Sequence, residues 1–244
     1  MKKVSLILLV TVFLSCTLFK KTAPTFMPEM VLIPGGTYTI GDVFENANSD
    51  ALPAHEVSLP DFYIGKFEVT FAQYDAFAKI TGRKLPDDQG NGRTDRAVVY
   101  VTWDDAHAFC DYLGMRLPSE TEWEYAARSG GKRQLYAGTN DPDSLMFYAF
   151  TRESDINFSV TVGQKKPNDL GLYDMSGNVF EWIGEFYQFY QMPEKLHDNN
   201  ADAIRIIRGG SFGETKSTTR TYWRAGTLRE VEANDIGFRC ARSR

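Results

Sequence analysis

Cysteine and histidine are scarce in this sequence, positive charge is not in excess, and the N-terminal apolar stretch is too short to cross a bilayer. The 244 residues include three cysteines and three histidines. His55, His107 and His197 fall at no metal-ligand spacing, which argues against a His-based catalytic metal centre. A net charge of −5 leaves no basic face of the kind that nucleic-acid binders carry. No internal repeat or low-complexity tract is found. What is present is ordinary globular composition, 43% hydrophobic and 24% charged, with enough chain for one sizeable core. Aromatics are plentiful at 14%.

The N-terminus reads as an export signal. Lys2 and Lys3 precede the apolar stretch Val4 to Leu14, about half the roughly 20 residues of a membrane-spanning helix, and this suits a secretory signal. The stretch ends at Phe13-Leu14-Ser15-Cys16, which resembles a bacterial lipobox, with Phe13 where Leu is usual. Cleavage there would remove residues 1–15 and leave Cys16 as the lipidated N-terminus, with 16–29 as a polar, proline-containing tether. The expected location is the cell envelope, facing an oxidising compartment. Cys110 and Cys240 then remain, either as unpaired core cysteines or as a disulfide, and export favours the disulfide.

From Met30 to Arg244 the chain reads as one domain. Met30 to Gly41 suggests a hairpin, an apolar strand and an alternating strand around Gly35-Gly36. His55 to Leu59 and Phe62 to Val69 look like two further strands. One helix is expected from Thr70 to Gly82. A second runs from Thr102, with Asp105 three residues on, to Gly114. A third opens on the capping box Ser119-Glu120-Thr121-Glu122 and stops at Gly130. After Gly131 the periodicity fades into loops and short strands. The expected fold class is α+β. Trp103, Trp123 and Trp182 are expected to anchor the core, Arg116-Leu117-Pro118 to set the entry to the third helix, and His107 to lie on a helix surface.

Several blocks, taken in order, carry a resemblance. They are Met30-Val31-Leu32-Ile33-Pro34-Gly35-Gly36, Lys66-Phe67-Glu68-Val69-Thr70, Val99-Tyr100-Val101-Thr102-Trp103, and Arg116-Leu117-Pro118-Ser119-Glu120-Thr121-Glu122-Trp123-Glu124-Tyr125-Ala126-Ala127-Arg128. Gly171-Leu172-Tyr173-Asp174-Met175-Ser176-Gly177-Asn178-Val179-Phe180-Glu181-Trp182, Arg208-Gly209-Gly210-Ser211-Phe212 and Ile236-Gly237-Phe238-Arg239-Cys240 follow. Together they resemble the formylglycine-generating, or sulfatase-modifying factor, domain family over residues 30–244. The resemblance implies a loop-rich, C-type lectin-like variant. It also implies a Cys110–Cys240 disulfide, since both match the positions of a structural disulfide in family members.

The resemblance further implies a structural Ca²⁺ held by Asp174, Glu181 and the carbonyls of Gly177 and Val179. A turn with carboxylates at both ends and carbonyls between them suits a hard cation that takes six to eight oxygens. The family's second calcium loop corresponds to Thr151 to Thr161, which is shortened, and that site is not carried over.

At the catalytic positions the resemblance fails. Active members carry two cysteines just after the Gly-Gly-Ser, and their thiolates bind Cu(I), a soft ion suited to sulfur. Counted from Gly209-Gly210-Ser211, these positions hold Glu214 and Thr219. No copper is therefore expected. The expected function is a non-catalytic binding or structural module at the envelope, with a protein or peptide partner of unknown identity, a membrane contact through the lipid and no nucleic acid. Ser211, Glu214, Arg220, Tyr222, Trp223 and Arg224 are its candidate binding groove; the other reading of these residues is that Trp223 is core and the arginines pair with nearby Asp or Glu. The alternative is an oxidase-type enzyme of the same family, iron-dependent or formylglycine-generating, that uses non-standard residues.

Overall fold

The computed structural model describes residues 26–45, 49–190 and 204–244. Cys16, the apolar stretch before it, the first part of the tether and His197 lie outside the described residues. The described chain is α+β, with three α-helices, two small sheets and one strand pair.

The N-terminal strands depart from the expected hairpin. β1 (Met30–Ile33) and β2 (Gly36–Ile40) do not pair with each other. Instead β1 pairs antiparallel with β4 (Phe62–Gly65), and β2 pairs antiparallel with β3 (His55–Leu59). One register runs through both pairs, from Met30 opposite Gly65 to Ile40 opposite His55. The two pairs are therefore one long ribbon broken in the middle. Pro34 and Pro60 sit at the break, and neither has an N–H to give a ladder. Gly35 bridges the gap by donating its N–H to Asp61 Oδ1 at 2.8 Å. A side chain could not stand there, because a Cβ at Gly35 would lie 2.3 Å from the Leu59 carbonyl oxygen. The Gly-Gly step is a crossing point, not a turn.

The helices follow their start signals. α1 (Phe71–Thr81), α2 (Trp103–Tyr112) and α3 (Glu120–Ala127) each open on a complete capping box: Thr70 with Gln73, Thr102 with Asp105, and Ser119 with Glu122. In each box the side chains satisfy orphan N–H groups of the first turn. α1 ends on Gly82 in the left-handed conformation (φ 71°), which only glycine adopts without cost. His107 is exposed on α2 and stacks against Trp103 with ring centroids 4.9 Å apart.

The second half supplies the larger sheet, ordered β7 (Arg224–Leu228), β6 (Ile204–Arg208), β5 (Phe180–Phe186), β8 (Ile236–Gly237). β8 runs parallel to β5 and the other neighbours are antiparallel. The last strand, β9 (Ala241–Ser243), returns to pair with β4, so both ends of the described domain share one sheet.

Three tryptophans join helices to sheet. The indole of Trp103 donates to the Ile183 carbonyl at 2.7 Å, that of Trp182 to the Val101 carbonyl at 3.0 Å, and that of Trp123 to Glu181 Oε2 at 2.8 Å. Each ring buries a large apolar surface while its one polar atom finds a fixed acceptor. Cys110 on α2 and Cys240, just before β9, are joined by a disulfide with Cα atoms 5.6 Å apart. The bond closes a loop spanning 130 residues of sequence. Replacing both cysteines by serine is expected to cost about 5 kcal/mol on chain-entropy grounds. Urea unfolding of the variant checks this, and an unchanged midpoint would refute it.

Candidate functional site

The segment from Asp174 to Glu181 enters β5 through a tight, buried loop. Asp174 (φ 57°), Gly177 (φ 80°) and Asn178 (φ 56°) all take left-handed backbone. Gly177 is obligatory, since a Cβ there would lie 2.2 Å from the Phe150 carbonyl oxygen. That same carbonyl accepts the Asn178 N–H at 2.9 Å, while Gly177 N–H donates to Gly209 O at 2.9 Å. The Asn178 side chain works in two directions. Its Oδ1 accepts from Val160 N–H at 3.0 Å, and its Nδ2 donates to Glu68 Oε1 at 2.9 Å. The loop is thus a junction for three separate segments.

Of the four positions expected to hold calcium, Glu181 has another partner. Arg239 donates to both its oxygens, from Nε to Oε2 and from Nη2 to Oε1, each at 2.7 Å. Trp123 adds a third bond to Oε2. Both side chains are fully buried, so the pair neutralises charge inside the core. Asp174 is different. Its Oδ2 accepts from Gly163 N–H at 2.7 Å, but its buried Oδ1 has no hydrogen-bond partner. The other orphaned oxygen here is Glu68 Oε2, and the two carboxyl groups interact directly. Burial, then the charge of Asp174, holds Glu68 well above the usual carboxylate range. Burial raises Asp174 too, against the opposing Gly163 N–H.

Charge balance tests whether a cation fits. Glu68, Asp174 and Glu181 face a single guanidinium, Arg239. Full ionisation would leave two negative charges uncompensated in the core, a large penalty. One divalent cation offsets that deficit, and two orphaned carboxylate oxygens suit a hard ion. The two orphaned oxygens are compatible with a hard cation, but among the described residues no group of three or more His, Cys, Asp or Glu side chains is gathered to hold a metal. Glu68 is visible in the sequence only as part of the block 66–70, where no spacing links it to Asp174.

The expected binding groove is not a single surface. Ser211, Tyr222 and Arg224 are buried, while Glu214, Arg220 and Trp223 are half-buried. Arg224 grips Glu120 through Nε and Nη2, both at 2.7 Å, and Arg220 Nη1 donates to the Tyr222 hydroxyl at 3.1 Å. Trp223 packs on Phe180 with ring centroids 5.7 Å apart. The mixed aromatic and basic sequence reads as a patch, but the arginine charge of residue 224 is spent inside the protein. Arg208 completes that arrangement by donating to Glu120 Oε1 at 3.3 Å and to Glu124 Oε2, and Glu124 Oε1 also pairs with Arg128 at 3.0 Å.

A smaller polar group remains around Ser211, whose hydroxyl donates to Asp235 Oδ2 at 3.0 Å. Burial raises the Asp235 carboxyl, and the nearby Glu214 charge raises it further. Glu214 accepts from the Thr218 hydroxyl at 3.2 Å, and the buried Thr219 hydroxyl donates to the Lys216 carbonyl at 3.0 Å. Glu214 and Thr219 therefore offer oxygen only. Hard donors do not make a linear dithiolate site for Cu(I). The two described cysteines are committed to the disulfide.

Residues 16–244 match the sulfatase-modifying factor enzyme 1-like domain, and the chain belongs to that family. It is 30% identical over 243 residues to the serine/threonine-protein kinase pkn1 of Chlamydia pneumoniae, with 89% of this chain covered. The matched part is only 38% of that kinase's length. The formylglycine-generating enzyme of Streptomyces coelicolor is 29% identical, with 86% of this chain and 88% of that protein covered. The inactive C-alpha-formylglycine-generating enzyme 2 of Bos taurus is 28% identical, with 87% of each covered. Among solved structures, PvdO from Pseudomonas aeruginosa superposes with a TM-score of 0.77 at 26% identity, covering 91% of this chain and 97% of its own. Treponema denticola variable protein 1 gives a TM-score of 0.71 at 27% identity, covering 88% and 95%.

The Glu68–Asp174 pair yields a pH prediction. Both carboxyls are raised in the folded state, so in chelator their stabilising contribution is full below the unfolded value of about 4 and is lost as pH rises through the folded values. Melts in EDTA should therefore weaken as pH rises, and added Ca²⁺ should restore stability at neutral pH. Asp174→Asn should remove the response to calcium. A melting temperature indifferent to both chelator and calcium would eliminate the cation.

Proposed function

We propose that this chain is an exported, lipid-anchored family member that does no formylglycine chemistry and serves as a binding or structural module at the cell envelope, with a protein or peptide as partner. One observation carries the reading: the two positions that hold thiols in active members hold Glu214 and Thr219, and the two described cysteines are joined to each other. Oxygen activation on copper needs two converging thiolates. A likeness to a relative named as inactive supports the same view. The Cys110–Cys240 disulfide suits an oxidising compartment, as does the Ser15-Cys16 signal. When bound, calcium would supply structural charge compensation at Asp174 and Glu68. It would hold the 174–181 loop against the segments that Asn178 joins.

The purified protein, supplied with Cu(I) and a peptide containing Cys-x-Pro-x-Arg, is expected to form no aldehyde above background by mass spectrometry. The double variant Glu214→Cys, Thr219→Cys is the complementary experiment, expected to gain stoichiometric Cu(I) binding. Turnover by the unmodified protein would overturn the proposal. For the anchor, mass spectrometry of the native N-terminus should find Cys16 acylated, and an unmodified terminus would exclude it.

A further inference from the structure

A second cavity lies beside the 211–219 segment, shares only Lys216 with it, and has the features of a ligand site. Its volume is about 470 Å³, within the range of small-molecule pockets (~300–1,000 Å³). Leu145, Met146 and Phe150 give it an apolar lining. Lys165, Lys216 and Glu153 stand around that lining, with Asp143 at the rim.

These charges are placed but little used. Lys165 Nζ lies 4.3 Å from the Phe150 ring centroid and donates to the Met146 carbonyl at 2.8 Å. Among the described residues it makes no ion pair. That leaves an ammonium with spare donors, oriented by an aromatic face and one carbonyl. Lys216 Nζ stands 3.7 Å from Asp143 Oδ1, but the Asp143 side chain is 97% exposed, and a pair so solvated holds little energy. Glu153 is positioned by the Thr151 hydroxyl, which donates to its Oε2 at 2.6 Å. That hydrogen bond, the first of several influences, holds the Glu153 carboxyl below its usual range, so it is charged at neutral pH.

The wall of this cavity is also fixed. Arg152 donates from its backbone N–H to the Glu214 carbonyl at 2.8 Å and from Nε to the Gly213 carbonyl at 2.9 Å. The lining is therefore tied to the loop that follows the Gly-Gly-Ser, and the site is formed before any ligand arrives.

From this arrangement we infer that the cavity binds a short free peptide with apolar side chains, its terminal carboxylate on Lys165 and Lys216, its terminal amine on Glu153, and its side chains on Leu145, Met146 and Phe150. Two ammonium groups and a carboxylate in one partly apolar lining match a zwitterion, and would leave a purely apolar or singly charged ligand with one set of charges unmet. The cavity has room for two or three residues. Neither Glu214 nor Thr219 lines the cavity, so the inference holds whether or not the protein is catalytically silent.

Isothermal titration of the whole protein with leucyl-leucine tests it, alongside the N-acetylated and C-amidated forms of the same dipeptide. Saturable binding is expected, weakened tenfold or more by blocking either terminus. Lys165→Met and Glu153→Gln, both at solvent-accessible positions and checked for unchanged melting, should each weaken it by a similar factor. Absence of saturable binding at millimolar dipeptide would overturn the inference. So would equal affinity for the blocked peptides, or binding that neither variant alters. The aldehyde assay is independent of all these outcomes, so either idea can fail alone.

Discussion

The fold depends on a buried charge network centred on α3. Glu120 and Glu124 project from one face of that helix and meet Arg208 from β6, Arg224 from β7 and Arg128 at the helix end, all buried. Most of the donors left over find oxygens elsewhere, Arg128 Nε on the Thr221 hydroxyl and others on backbone carbonyls, while Arg208 Nε is left without a hydrogen-bond partner. Arg224 Nη1 reaches Asp50 O and Gln188 O, Arg208 reaches Thr221 O, and Arg128 Nη1 reaches Thr39 O at the end of β2. Desolvating five charges is costly, and such a network is seldom better than apolar packing of equal volume. Its value is specificity. Removing any one charge strands its partners, at about 3–5 kcal/mol, so α3, the large sheet and the N-terminal ribbon can assemble in one arrangement only.

Glu181 and Arg239 repeat the device at the head of β5, and the contrast with Asp174 and Glu68 is informative. One carboxylate has a full complement of donors, while the other two share a deficit. The loop therefore combines a closed part, whose charges are met within the protein, with an open part in which two buried carboxyl oxygens have no partner.

Much of this was legible in the sequence where the signal is local. The three helix starts rest on side chains that cap their own first turn, so Thr102-x-x-Asp105 and Ser119-x-x-Glu122 could be read directly. The Trp anchors followed from size alone. The ribbon of β1 to β4 was not legible, because its continuity depends on pairing across a break at Pro34 and Pro60, and local pattern favours the nearer hairpin. The arginines misled for another reason. Basic residues beside Tyr222 and Trp223 read either as a binding patch or as core with the arginines paired to acids, and only the placement of Glu120 decides for Arg224, which is buried. Glu68 was hidden in the same way, separated from Asp174 by all three α-helices and the loops between them.

The shared sheet at the two ends of the domain governs how the protein carries tension. A pull entering at the N-terminal side passes first through Phe26, whose ring lies 6.1 Å from Phe109 and 6.3 Å from Tyr112 on α2. Between those two positions sits Cys110, covalently bound to Cys240 beside β9. Load entering there would thus run into a cross-linked corner formed by β1, β4, β9 and α2. Arg239, next to Cys240, donates both to the Gly65 carbonyl at the end of β4 and to Glu181, so the 174–181 loop is fastened to that same corner.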